Sequence, residues 1–127
     1  MRRLNLWALS GFYVFAGAYH FMNPAFYYPL IPDYLPFPEV INTVSGVVEI
    51  LLGIGVLFKP TRTPSAYSIV AMLVAFIPAH IHFLQIGSCA DVGLCVPEWI
   101  SWIRLLVIHP LLIAWALSIR NRRKPQA

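Results

Sequence analysis

The sequence predicts an all-α membrane protein, an antiparallel bundle of four transmembrane helices with both termini cytoplasmic. Three observations predict it. The 127 residues are 59% hydrophobic and only 11% charged, about half the charged share of an ordinary soluble domain. Four apolar runs, near residues 4–21, 40–58, 65–86 and 99–119, each reach ~27 to 33 Å at ~1.5 Å per residue, close to the thickness of a hydrocarbon core. Outside the apolar runs Lys and Arg lie on one side only: Arg2, Arg3, Lys59, Arg62 and the basic tail 120–127 face one way, whereas the connections 22–39 and 86–97 hold none. Positive charge marks the cytoplasmic face, so those two connections are expected outside a cell (inner) membrane. The net charge of +4 comes in short clusters that suit lipid headgroups, and no continuous basic face for nucleic acid is present. One bundle accounts for the whole chain, 1–127, as a single domain.

The first run follows Arg2 and Arg3 and contains Ala16-Gly17-Ala18, a pattern shared with secretory leaders. Its Ser10, Tyr13, Gly17 and His20 fall at steps of three and four, a stripe suited to packing on a neighbouring helix. A cleaved leader has no use for such a stripe. The connection 22–39 is rich in proline and aromatic residues, which predicts an ordered, mostly non-helical loop across the bundle mouth. The second run carries a single carboxylate, Glu49, at its midpoint, and Asn42, Ser45, Gly46, Glu49 and Gly53 share one face. Residues 59–64 read as a tight, proline-bounded turn. The third run contains Pro78, which removes a backbone hydrogen bond and predicts a kink near His80 and His82. The fourth carries Arg104 and His109.

A charge in the hydrocarbon core is costly by roughly 2.5 kcal/mol or more and usually faces the bundle interior. His20, Glu49, His80, His82, Arg104 and His109 all fall in the outer half or at the midplane of their runs, which predicts one polar cavity that opens outward. On an ideal helix His82 aligns with Pro78, Ala75 and Ala71 and faces the bundle, while His80 faces lipid or another subunit. Arg104 is the leading partner for Glu49. A plainer reading stands beside each: Glu49 and Arg104 as an ion pair that fixes register, His20 as an interfacial group bonded to the loop, His109 as a group that satisfies backbone freed by Pro110. No metal site is expected, because no H-x3-H or H-x-x-E pair occurs and His80 and His82 stand about 200° apart on a helix. No tightly bound cofactor is expected either, since haem-attachment and nucleotide motifs are missing. Imidazoles and a carboxylate beside an apolar channel do suit proton handling or the head of a quinone.

Cys89 and Cys95 lie in the outer connection 86–97, where an oxidising compartment permits a disulfide. A structural bridge would contribute roughly 2 to 2.5 kcal/mol on the chain-entropy model. The C-x5-C spacing and the lack of flanking basic residues weigh against a redox-active dithiol. Two free thiols are the third reading.

Ala18-Tyr19-His20-Phe21 with Asn23-Pro24, then Pro32-Asp33-Tyr34-Leu35-Pro36, Ser45-Gly46-Val47-Val48-Glu49 with Gly53, Pro60-Thr61-Arg62 and Ile77-Pro78-Ala79 run in this order through nearly the whole chain. Together they resemble the DoxX-like family of small four-helix membrane proteins, Ser-Gly-x-x-Glu being the most specific piece. The resemblance implies a retained first helix and supports His20, Glu49 and Pro78 as family-type positions. His80 stands where the family is expected to carry Asn, and His109 near an expected Gln. The founding relatives are subunits of quinone-linked sulfur oxidation, others associate with redox proteins, and some animal relatives are receptor assembly factors. The resemblance thus implies a redox-linked, quinone-associated membrane subunit, with a non-catalytic assembly factor or scaffold as the alternative. Expected partners are the lipid bilayer and either a second copy or another membrane or redox protein. A proton-coupled permease is a weaker third reading, because four short helices leave little room for a path.

Overall fold

A computed structural model describes residues 2–89 and 95–121. Its elements are α1 (Arg2–Met22), α2 (Pro24–Tyr27), a 3₁₀ turn (Tyr28–Leu30), α3 (Pro38–Gly55), α4 (Lys59–Ala75), α5 (Ile77–Gln85), α6 (Glu98–Ile103), a π-helical turn (Arg104–Ile108) and α7 (His109–Ser118). Among the described residues there is no strand beyond an isolated bridge between Cys89 and Cys95. Three stretches, Pro38–Gly55, Lys59–Gln85 and Glu98–Ser118, are long and apolar enough to cross a bilayer. The 21-residue α1 has the length but not the hydropathy of the other three, because Asn5, Ser10, Tyr13, Tyr19 and His20 interrupt it.

Proline begins elements here more often than it breaks them. Pro24, Pro29, Pro38, Pro60 and Pro78 each occupy the first turn of a helical element, where a missing amide costs no bond and the fixed φ favours the helix. Two expectations are corrected by this. The connection 22–39 contains α2 and a 3₁₀ turn, and 59–64 is the opening of α4. The real turn between α3 and α4 is 56–58. Pro78 acts as expected: the long third stretch breaks at Phe76, whose amide reaches the carbonyls of both Met72 and Leu73.

Helices α1 and α3 run antiparallel, with Ser10 opposite Gly53, Gly17 opposite Gly46 and His20 opposite Asn42. Helices α4 and α7 do likewise, with Tyr67 reaching Arg120 and Leu73 reaching His109. Polarity is inverted relative to a protein in water. Trp7, Phe15, Leu51, Leu106 and Leu111 are 62 to 66% exposed, while Asn42, Glu49 and His109 are 4 to 6% exposed. An apolar exterior around a polar interior is compatible with a protein whose solvent is lipid.

The two ends of the bundle differ. At the end holding both described chain ends, Leu6, Leu9, Val56, Ala66, Ile69, Ala116 and Ile119 form a closed apolar core. Arg62 seals it by donating to the carbonyls of Val56 and Leu57 at 2.9 and 3.1 Å, an Arg cap on the C-terminus of α3. Arg2 Nη2 donates to the Arg120 carbonyl at 3.0 Å. The opposite end, under α2 and the 3₁₀ turn, is hollow.

Candidate functional site

The cavity at that end has a volume of about 510 Å³ and includes His20, Glu49, His80, Arg104 and His109 in its lining. Its first wall follows from the glycines. A Cβ on Gly17 would stand 2.6 Å from the Gly46 carbonyl oxygen, and one on Gly46 would stand 2.9 Å from His20 Cβ. Only bare backbone permits this approach. It brings the end of α1 against Asn42 and Glu49, which lie seven residues apart on one face of α3.

There Asn42 Nδ2 donates to the His20 carbonyl at 3.0 Å, one of the carbonyls that a helix C-terminus leaves unpaired. This fixes the amide's orientation, so its Oδ1, 2.6 Å from His20 Nδ1, must accept the proton of Nδ1. The other ring nitrogen, Nε2, then faces Glu49 Oε2 at 3.1 Å. Tyr27, carried over the site by α2, stacks on the imidazole with ring centroids 3.7 Å apart and planes 13° apart.

That 3.1 Å contact is of ion-pair length, and Glu49 Oε2 makes no hydrogen bond beside it. The Tyr13 hydroxyl is buried with no hydrogen-bond partner, and both residues line the cavity. A buried hydroxyl without a partner is uncommon, since such groups normally find one.

The far wall comes from α5, the π turn and α7. His109 Nε2 donates to the Leu73 carbonyl beside the break in α4, which leaves Nδ1 without its own proton in the neutral ring. His109 thus satisfies backbone on the neighbouring helix, not on its own helix as the position of Pro110 suggested. The His80 ring meets that of His109 edge-on, centroids 4.8 Å apart. The amide of His109 bonds to the Arg104 carbonyl, five residues back, and this π turn shifts the phase of the fourth stretch.

Two expectations change. Arg104 is not paired with Glu49: it comes from the far wall, and the carboxylate's near neighbour is His20 on α1. His80 lines the cavity and His82 does not, the reverse of the helical-wheel reading, because the chain restarts at Ile77 and the phase of α4 does not carry through. Five polar lining residues, Tyr13, Tyr27, Tyr34, Asn42 and Ser45, were not among the candidates. Tyr13 and Asn42 sit seven residues before His20 and Glu49, so the spacing that marked packing stripes also marked them. Tyr27 had no such signal, since α2 positions it. Cys89 and Cys95 are disulfide-bonded outside the cavity.

Residues 9–120 match a family described as a domain of unknown function, DUF8561. The chain belongs to this family. No curated protein and no solved structure matches it. In this DUF8561 chain the matched stretch includes every polar residue of the cavity.

Chemically, the DUF8561 cavity sets a wall of imidazole, carboxyl and phenol groups against one that carries a guanidinium. With Nδ1–H committed to Asn42, His20 presents Nε2 to the Glu49 carboxyl. Among the described residues no group of three His, Cys, Asp or Glu side chains is placed to hold a metal.

Proposed function

We propose that this DUF8561 protein is a DoxX-like integral membrane subunit with four spanning helices and cytoplasmic termini. Its outer cavity binds the polar head of a small apolar molecule, a quinone being the leading candidate, and exchanges a proton with it through His20 and Glu49. It holds no cofactor of its own. The observation that carries this reading is the group of polar side chains, Tyr13, His20 and Glu49, in the lining of one largely apolar cavity, with the Tyr13 hydroxyl buried and without a hydrogen-bond partner. A bound head group with a donor and an acceptor would bond to this group, and the apolar lining would take the ring or tail. A redox partner or a second copy in the membrane is part of the proposal.

Thermal unfolding in lipid nanodiscs with and without a short-chain ubiquinone analogue tests it. Stabilisation of the wild type is expected, with affinity reduced about tenfold or more in Glu49→Gln, since a hydrogen bond to a charged group contributes ~1.5 to 3 kcal/mol. No stabilisation by any quinone analogue would reject it. The second reading, a non-catalytic assembly factor, is favoured by one feature: Asn42 and His109 direct hydrogen bonds to helix carbonyls, as residues serving packing do. Under that reading Glu49→Gln weakens folding or capture of a crosslinked partner and changes no turnover.

A further inference from the structure

Arg104 is the one Lys or Arg side chain in the cavity lining. Its guanidinium carries five N–H donors in a planar fork and stays charged in proteins. Among the described residues it makes no side-chain hydrogen bond and no ion pair, whereas Arg2, Arg62 and Arg120 all donate to carbonyls, an amide or a hydroxyl. A half-buried guanidinium in the lining of a largely apolar cavity has no counter-ion among the described residues. Its polar neighbours are Tyr27 and His80, close enough for its charge to act on both. Each carries an O–H or N–H donor. Much of the rest of the cavity lining is apolar, with Leu30, Ile31, Phe76, Phe83 and Ile108.

We infer that the Arg104 side of the cavity binds a single carboxylate borne on an apolar body. One guanidinium neutralises one negative charge, and its fork matches a planar carboxylate in bidentate fashion. A phosphate monoester would bring a second charge into a cavity that already holds the Glu49 carboxyl, with no further cation to meet it. The acid can arrive from either phase, as a fatty acid drawn from the leaflet or as a soluble aromatic acid entering by the outer mouth. The inference rests on the cavity being a ligand site, but not on its ligand being a quinone.

The test is thermal unfolding of the full chain in nanodiscs at alkaline pH, titrated separately with dodecanoate, dodecanol, benzoate and the ubiquinone analogue. Dodecanoate, benzoate or both should stabilise the protein. Dodecanol should act at least about tenfold more weakly than dodecanoate, the size expected when a desolvated charge pair is missing. Arg104→Gln should remove the acid response while the quinone response persists, which also shows that the variant is folded; Arg104→Lys should keep part of it. Stabilisation by dodecanoate alone assigns the membrane as the source, and by benzoate alone the aqueous phase. Stabilisation by dodecanol as strong as that by dodecanoate overturns the inference, as does an acid response that survives Arg104→Gln. The wild-type comparison of acid and alcohol decides even if both variants fail to fold. A quinone response without an acid response overturns the inference and leaves the proposed function standing, whereas no response to any of the four removes both.

Discussion

Asn42 acts on the chemistry of this protein without facing it directly. By donating to the His20 carbonyl and accepting from Nδ1, it chooses which imidazole nitrogen meets Glu49. Asn42→Ala leaves a buried N–H and a buried carbonyl unpaired, each costing about 1 to 3 kcal/mol. Lower thermal stability is expected, together with a change of His20 tautomer in imidazole ¹⁵N spectra; an unchanged tautomer would sink the account. Tyr27 supplies a pH prediction from the loop side. Burial chiefly, with help from the Glu49 and Tyr19 charges and against that of Arg104, pushes its hydroxyl up to about 12 from an ordinary value near 10. The unfolded chain therefore loses this proton first, and stability should fall as pH rises from about 10 to 12. Tyr27→Phe should flatten that fall, as alkaline unfolding curves would report. At this scale the sequence disclosed the ionisable residues and their common depth, but not their pairing. Pairing depends on which walls approach, and Glu49 took the nearest imidazole in place of the one buried arginine.

Two helix pairs hold the bundle, and they tolerate different changes. The α1–α3 contact runs through Gly17 and Gly46, where an added Cβ meets backbone at 2.6 to 3.0 Å; backbone cannot step aside as a side-chain tip can. Gly17→Ala should cost about 1 to 3 kcal/mol by overpacking and should also widen the gap between His20 and Glu49. Gly11, on the same helix, has nothing within 4 Å of its would-be Cβ, so Gly11→Ala should stabilise by about 0.4 to 1 kcal/mol through the unfolded chain. Unfolding of the two variants side by side checks both signs, and similar losses in both would refute the role given to the contact. The stripes on α1 and α3 were legible because each helix is unbroken from cap to cap. Past Phe76 that reading failed. Pro78 restarts the helix and the π turn at Arg104 adds a residue to one turn, so angular positions counted from the sequence drift, and His80 and His82 exchange roles.

As a whole the molecule is sealed at one end and hollow at the other, and the positive charges follow that division. Both described chain ends and the α3–α4 turn meet at the sealed end, where Arg2, Arg62 and Arg120 bond to helix carbonyls, Asn121 and Tyr67. The one-sided cations of the connections and termini and the outer-half position of the ionisable residues follow from order along the chain, which is why they were legible in the sequence. The same cations set the insertion direction we propose, since translocating them across the bilayer is the disfavoured outcome. A labelling experiment on intact cells decides the orientation. After mild reduction, Cys89 and Cys95, exposed in the loop at the hollow end, should react with a membrane-impermeant maleimide from outside. A single cysteine placed at Asn121 in a Cys89→Ser/Cys95→Ser background should react only after permeabilisation. The reverse pattern would put the cavity mouth in the cytoplasm and end the outward-facing reading. Labelling of both sites from outside would mean that Glu98–Ser118, the stretch that separates them, does not cross the membrane.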